Sequence, residues 1–150
     1  MVSATESLSE VPNSVWVRGG DGAPARARMF VLSQLDGGVS APRAADAALI
    51  VSELVTNSVL HAHVGIDEVL GLEVAVLGDH LRISVIDSGS ELEPRIRARD
   101  PEALSGGYGL RLVDTLSSAW GVARGPAGTT CVWCELPLGG RDQPQREAPL

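Results

Sequence analysis

The chain has 150 residues, 44% of them hydrophobic, which suffices for one ordinary domain and is short for two. Its formal net charge is −7, its only strongly basic residues are Arg, and no basic stripe interrupts the acidic balance, so nucleic acid is not expected as the main partner. No run of about 18 apolar residues suggests a membrane span, and the opening MVSATESLSEVPNS lacks the basic start and apolar stretch of a signal peptide, so a cytoplasmic protein is expected.

Residues 1–13 are polar and read as a flexible N-terminus ahead of a domain over 14–138. SVWVR (14–18) suits a short strand, GGDGAPAR breaks it, and Pro24 opens a helix to about Leu35. DGGVSAP is a second break, with Ser40 as candidate N-cap and Pro42 in the first turn of a long helix over about 42–62. That helix is apolar almost all round, through Ile50, Val51, Leu54, Val55, Val59 and Leu60, yet it carries Glu53 and Asn57 one turn apart. Buried without partners, such groups cost about 2–7 kcal/mol each. They therefore find partners inside the protein or face something absent from the sequence.

EVLGLEVAVL (68–77) and HLRISVID (80–87) read as strands joined by Gly78–Asp79, a hairpin. In the second strand Leu81, Ile83 and Val85 share a face. Asp87 continues their row, which points its carboxylate to the buried side at the strand's end. Residues 88–108 read as an irregular loop, long enough to suggest a functional segment such as a lid. Leu112, Val113, Leu116, Ala119 and Trp120 then recur at helical spacing. GVARGPAGTTCVWCELPL reads as strand, turn, strand, with Thr130, Val132, Cys134 and Leu136 in one row, and 139–150 as a flexible C-terminal tail. The order β-α-α-β-β-loop-α-β-β predicts a two-layer α/β sandwich: a mixed, mainly antiparallel sheet covered on one face by helices.

Cys131 and Cys134 have CxxC spacing, but on a strand residues three apart point to opposite faces. A redox pair normally opens a helix and zinc needs further ligands, so two ordinary structural cysteines are expected.

Four features carry possible chemistry. Glu53 and Asn57 share a helix face; the amide oxygen suits Mg²⁺, and the carboxylate could orient or deprotonate an attacking hydroxyl. Asp87 with Gly89 could accept from an exocyclic amine and leave room for a flat ring. In GGYGL, Gly107 and Gly109 allow close backbone approach to a ligand, and N–H groups at a helix start attract anions. Thr130 faces the same side as Asp87 if its row is buried. Each also has a plain structural reading: a solvated helix face, a strand-ending turn, a loop-to-helix turn.

Together, ELVTNSVLHA, VIDSG, GGYGLRLVDTLSSAWGV and GTTCVWCELPL resemble the successive boxes of the GHKL ATPase superfamily, and within it the anti-sigma-factor serine kinases. The similarity runs from about residue 14 to 138 and implies a Bergerat-type ATP-binding fold. It implies that Asn57 binds the Mg²⁺ bridging the phosphates of ATP and that Glu53 is the catalytic base. It implies that Asp87 binds the adenine amine, with Gly89 beneath the ring and Thr130 assisting, and that Gly107, Gly109 and Leu110 offer N–H groups to the phosphates. Residues 90–106 would form the ATP lid.

Two positions depart from that pattern. Glu91 stands where many relatives carry glycine, and Tyr108 where close relatives often carry Arg; Arg95, Arg97, Arg99 or Arg111 could supply the missing cation. His61 and His63 read as structural residues at the helix end. The resemblance implies an ATP-dependent serine/threonine protein kinase acting on an anti-sigma-factor antagonist of the STAS type, with a sigma factor as a further partner and a homodimer as the assembly. The rival expectations are a non-catalytic, ATP-dependent regulatory module and a freestanding ATPase.

Overall fold

In the computed structural model the described residues are 13–35, 38–61, 65–87 and 104–139. Apolar side chains at every second strand position and every third or fourth helix position meet in one core. The elements are β1 (Asn13–Arg18), α1 (Ala23–Gln34), α2 (Ala41–His61), β2 (Val69–Leu77), β3 (His80–Asp87), α3 (Leu104–Leu116), β4 (Ala119–Arg124) and β5 (Thr130–Pro137). A single 3-10 turn, Pro126–Gly128, joins the last two strands. The strands form one sheet in the order β1-β2-β3-β5-β4. All four pairings are antiparallel, so the mainly antiparallel sandwich is borne out, and the sheet is not mixed among the described residues. The expected flexible ends lie outside the described residues, apart from Asn13 and Gly139.

The helix-facing side of the sheet is the core. Leu70, Leu72 and Val74 of β2, Leu81, Ile83 and Val85 of β3, and Val132, Cys134 and Leu136 of β5 are buried there. Ala23, Ala27 and Val31 bring α1 onto this layer, Ala47, Ile50, Val51, Leu54 and Val55 bring α2, and Leu110 and Val113 bring α3. Each full burial of a Val, Leu or Ile contributes about 1.5–3 kcal/mol, which is why the period-2 and helical patterns hold these elements in place. The turn at Gly78 has φ +64°, which glycine adopts without strain, and it sets the β2–β3 register at Leu77 opposite His80.

Two boundaries differ from the sequence reading. The last helix begins at Leu104, inside the segment read as loop, and ends at Leu116. Leu110 and Val113 are buried against the other helices, and this packing outweighs the low helix propensity of the glycines before them. Ala119 and Trp120, read as helical, open β4. The Ser118 N–H donates to the Glu135 carbonyl at 2.8 Å, which starts the strand pairing, and Trp120 Nε1 donates to Asp114 Oδ1 at 2.9 Å.

On the other side of the sheet the Arg82 guanidinium lies 4.3 Å from the centre of the Trp133 ring and 3.7 Å from the Glu135 carboxylate. Cys131 is on this side and Cys134 is in the core; both are free thiols. Burial pushes the Cys134 thiol up to about 12 from its ordinary 9.0, and burial also raises Cys131, against a hydrogen bond with Ser84 that lowers it. A raised folded-state value means that the contribution of Cys134 is complete below about pH 9 and is lost as pH rises towards 12. Iodoacetamide at pH 8 is therefore expected to leave Cys134 unmodified in the native protein and to label it fully in urea, read by mass spectrometry. Rapid native-state labelling would contradict its burial. Among the described residues, no helix is long and apolar enough to cross a membrane.

Candidate nucleotide site

The long helix α2 is set by its start. The Ser40 carbonyl accepts the Ala44 N–H at 2.9 Å, and Ser40 Oγ accepts the Arg43 N–H at 3.4 Å, as the N-cap reading expected. With the register of α2 fixed in this way and its apolar side in the core, Glu53 and Asn57 fall on one stripe. Glu53 is half-buried. Asn57 is only 8% exposed, and its Nδ2 has no hydrogen-bond partner among the described residues.

The contrast with a neighbour shows how unusual this is. Ser52, equally buried on the same helix, donates to the Ala48 carbonyl at 2.9 Å and accepts from Arg28 Nη1 at 2.9 Å. Buried side-chain polar atoms normally have such partners. An orphaned amide end one turn from a half-buried carboxylate marks a place where the described residues alone do not complete the hydrogen bonding. Rotation of the terminal amide exchanges its nitrogen and oxygen, so the same spot can present a donor or a ligating oxygen.

A second cluster lies at one end of the sheet. Asp87 closes β3 and Thr130 opens β5, and the antiparallel register puts them directly opposite each other. Both are buried, at 7% and 3% exposure, on the helix-facing side, because each extends an apolar row by one alternate position. Arg124, at the end of β4, is the register partner of Thr130 on its other side and donates from Nη1 to Thr130 Oγ1 at 3.4 Å. Asp87 and Arg124 make further polar contacts of their own.

The third element is α3. A helix leaves its first four N–H groups without intrahelical acceptors. With the helix starting at Leu104, Gly107 stands where Ala44 does in α2, whose N–H already bonds back to Ser40, so the open donors within α3 are those of residues 104–106, and Gly109 and Leu110 lie further in. Gly107, Gly109 and Leu110, expected to offer N–H groups to phosphates, all lie within the helix instead, and Leu110 is a core residue, 2% exposed. Arg111, the next residue, is exposed.

The sequence model of the family described as histidine kinase-like ATPase domain matches residues 23–134. The chain belongs to that family. The match covers most of the chain and includes α2, the end of β3, α3 and Thr130. No curated protein matches the sequence at a significant level. A histidine kinase-like ATPase domain is a GHKL-type fold that binds ATP, and the five-stranded open sheet with three helices agrees with it.

In this ATPase domain, Asp87 and Thr130 are brought side by side, and Asn57 and Leu110 are buried on helices that share one core. Gly89, Glu91, Arg95, Arg97, Arg99 and, as far as residue 103, the segment 90–106 expected to form a lid lie outside the described residues, as does His63. So do the side chains of His61 and Tyr108. Among the described residues no three His, Cys, Asp or Glu side chains gather as a metal set. The donor set that does exist, one buried amide with an unpartnered end, fits Mg²⁺ held largely by phosphate oxygens and waters.

Arg124 is the site residue that the sequence reading passed over. Its signal is the hairpin itself: VARGPAGTTCV has a Gly-Pro turn, and pairing the flanking strands places Arg124 opposite Thr130.

Proposed function

We propose that the domain is a serine protein kinase of the anti-sigma-factor type, which binds Mg-ATP and phosphorylates a serine of a small STAS-type anti-sigma-factor antagonist. The observation that supports this most directly is the pairing on α2 of an orphaned, buried amide with a half-buried carboxylate one turn before it. A site that only stored nucleotide would have no use for a base in that position.

In this reading the amide oxygen of Asn57 holds Mg²⁺, the Asp87 carboxylate accepts from the adenine amine, and the first-turn N–H groups of α3 donate to the phosphates. Mg²⁺ held there would supply charge neutralisation for the phosphates. Glu53 takes the proton of the acceptor serine hydroxyl as that oxygen attacks the γ-phosphorus, and the bond to the β–γ bridging oxygen breaks so that ADP leaves. Positioning and charge neutralisation then supply most of the rate. A sigma factor bound by contact and a homodimer belong to the same proposal.

The test is the purified chain with γ-labelled ATP and an antagonist protein. Label on a serine of the antagonist is the expected result. Tight ATP binding without transfer would replace the kinase by the non-catalytic regulatory module. Steady phosphate release without any partner would replace it by a freestanding ATPase.

A further inference from the structure

Arg124, Thr130 and Asp87 form one row across three strands: a cation on the edge strand β4, a hydroxyl on β5 and a carboxylate on β3. Directly opposed residues in such a row have Cβ atoms about 4.5–5.5 Å apart. The order of the row determines how the hydroxyl can be used. A threonine hydroxyl has one proton to give and two lone pairs, whereas a guanidinium only donates. Arg124 Nη1 donates to Thr130 Oγ1, so it occupies a lone pair. Arg124 cannot accept the Thr130 proton, so that proton is left for an acceptor on the side away from Arg124, where a ligand held against Asp87 would sit.

We propose that Arg124 is a specificity-determining positioning residue: by donating to Thr130 Oγ1 it turns the hydroxyl into a donor towards the base, while Asp87 remains an acceptor. The row then reads a ring-nitrogen acceptor beside an exocyclic amine, the pattern of adenine's pairing edge. A base that brings a carbonyl to Asp87, as guanine does, sets acceptor against acceptor there, and its N–H finds only the one lone pair that Arg124 leaves on Thr130. Without Arg124 the hydroxyl is free to rotate and serve as donor or acceptor, and the preference weakens. This inference rests on the reading that ATP binds with its base against Asp87.

The probe is 1-deaza-ATP, in which the N1 acceptor is a C–H, compared with ATP in equilibrium binding to the full chain in the presence of Mg²⁺. The parent protein is expected to prefer ATP by about tenfold, the size of one lost hydrogen bond at a buried hydroxyl. In Arg124→Met the preference should fall to within about twofold, and in Arg124→Lys, which still donates, it should largely return. Arg124 is exposed on an edge strand, so these variants are expected to fold, with circular dichroism as the check. In a Thr130→Val background, Arg124→Met should have no further effect on the ratio, a result that a general structural role would not produce.

Equal preference for ATP in the parent and Arg124→Met proteins would overturn the role of Arg124 while leaving ATP binding intact. A parent protein that binds both nucleotides equally would do the same. No binding of ATP by the parent protein would instead overturn the nucleotide reading beneath it.

Discussion

Asn57→Ala is expected to abolish Mg-dependent ATP binding in a protein that stays folded and is no less stable without ligand. The two effects have one cause. An unpaired buried donor costs about 1–3 kcal/mol, and Asn57 Nδ2 is such a donor among the described residues. Alanine removes that cost and loses some packing, so the unliganded melting temperature should be unchanged or slightly higher. The ligand effect runs the other way. ATP·Mg²⁺ at a hundred times its Kd stabilises the parent protein by about 2.7 kcal/mol, a rise in Tm of roughly 10 °C for a domain of this size. The variant should show no such rise, and EDTA should erase the rise in the parent. A thermal-shift experiment with ATP·Mg²⁺, ADP, GTP and EDTA reads all of this at once. Tight ATP affinity in the variant would refute the metal role, and a large loss of unliganded stability would show that the amide is a structural group after all.

The second large effect concerns rate alone. Glu53→Gln is expected to bind ATP within about threefold of the parent protein and to lose phosphoryl transfer by roughly 10²–10⁴-fold. The glutamine keeps the shape of the side chain and an acceptor oxygen, but it is not a base at neutral pH. Glu53 is half-buried on the same stripe as Asn57, so a change of charge there leaves the core side of α2 untouched. Single-turnover transfer to the antagonist protein is the appropriate measurement, because it separates chemistry from product release. Normal turnover in this variant would remove Glu53 as the base. Loss of binding together with turnover would make it a nucleotide ligand instead.

How much was legible in advance differs from residue to residue. The placement of Asp87 and Thr130 on the buried side followed from period-2 rows alone, since Leu81, Ile83, Val85 and Val132, Cys134, Leu136 fix which face is inside. The start of α2 was legible because Ser40 and Pro42 are strong local signals. The start of α3 was not. Its first residues carry three glycines, and local propensity favours a loop there. What makes the segment helical is burial of Leu110 and Val113 against other elements, a term that no local window contains. Trp120 was misplaced for a similar reason. Its spacing from Leu116 fits a helix, but Ser118 finds Glu135, and the chain turns into a strand.

The order of the residues along the chain determined by itself that there are two layers, which faces of the strands and helices are buried, and that polar groups interrupt those faces at Asn57, Asp87 and Thr130. These follow from periodicities of two and about 3.6, which are local geometry. Only the tertiary structure decided which strands are neighbours, that the row at the sheet's end runs Arg124, Thr130, Asp87, and that Ser52 Oγ is hydrogen-bonded where Asn57 Nδ2 has no partner among the described residues. Those facts depend on pairing register and on contacts between segments far apart in sequence. Cross-strand neighbours and the satisfaction of a buried polar atom are properties of the assembled core, whose geometry no single segment specifies.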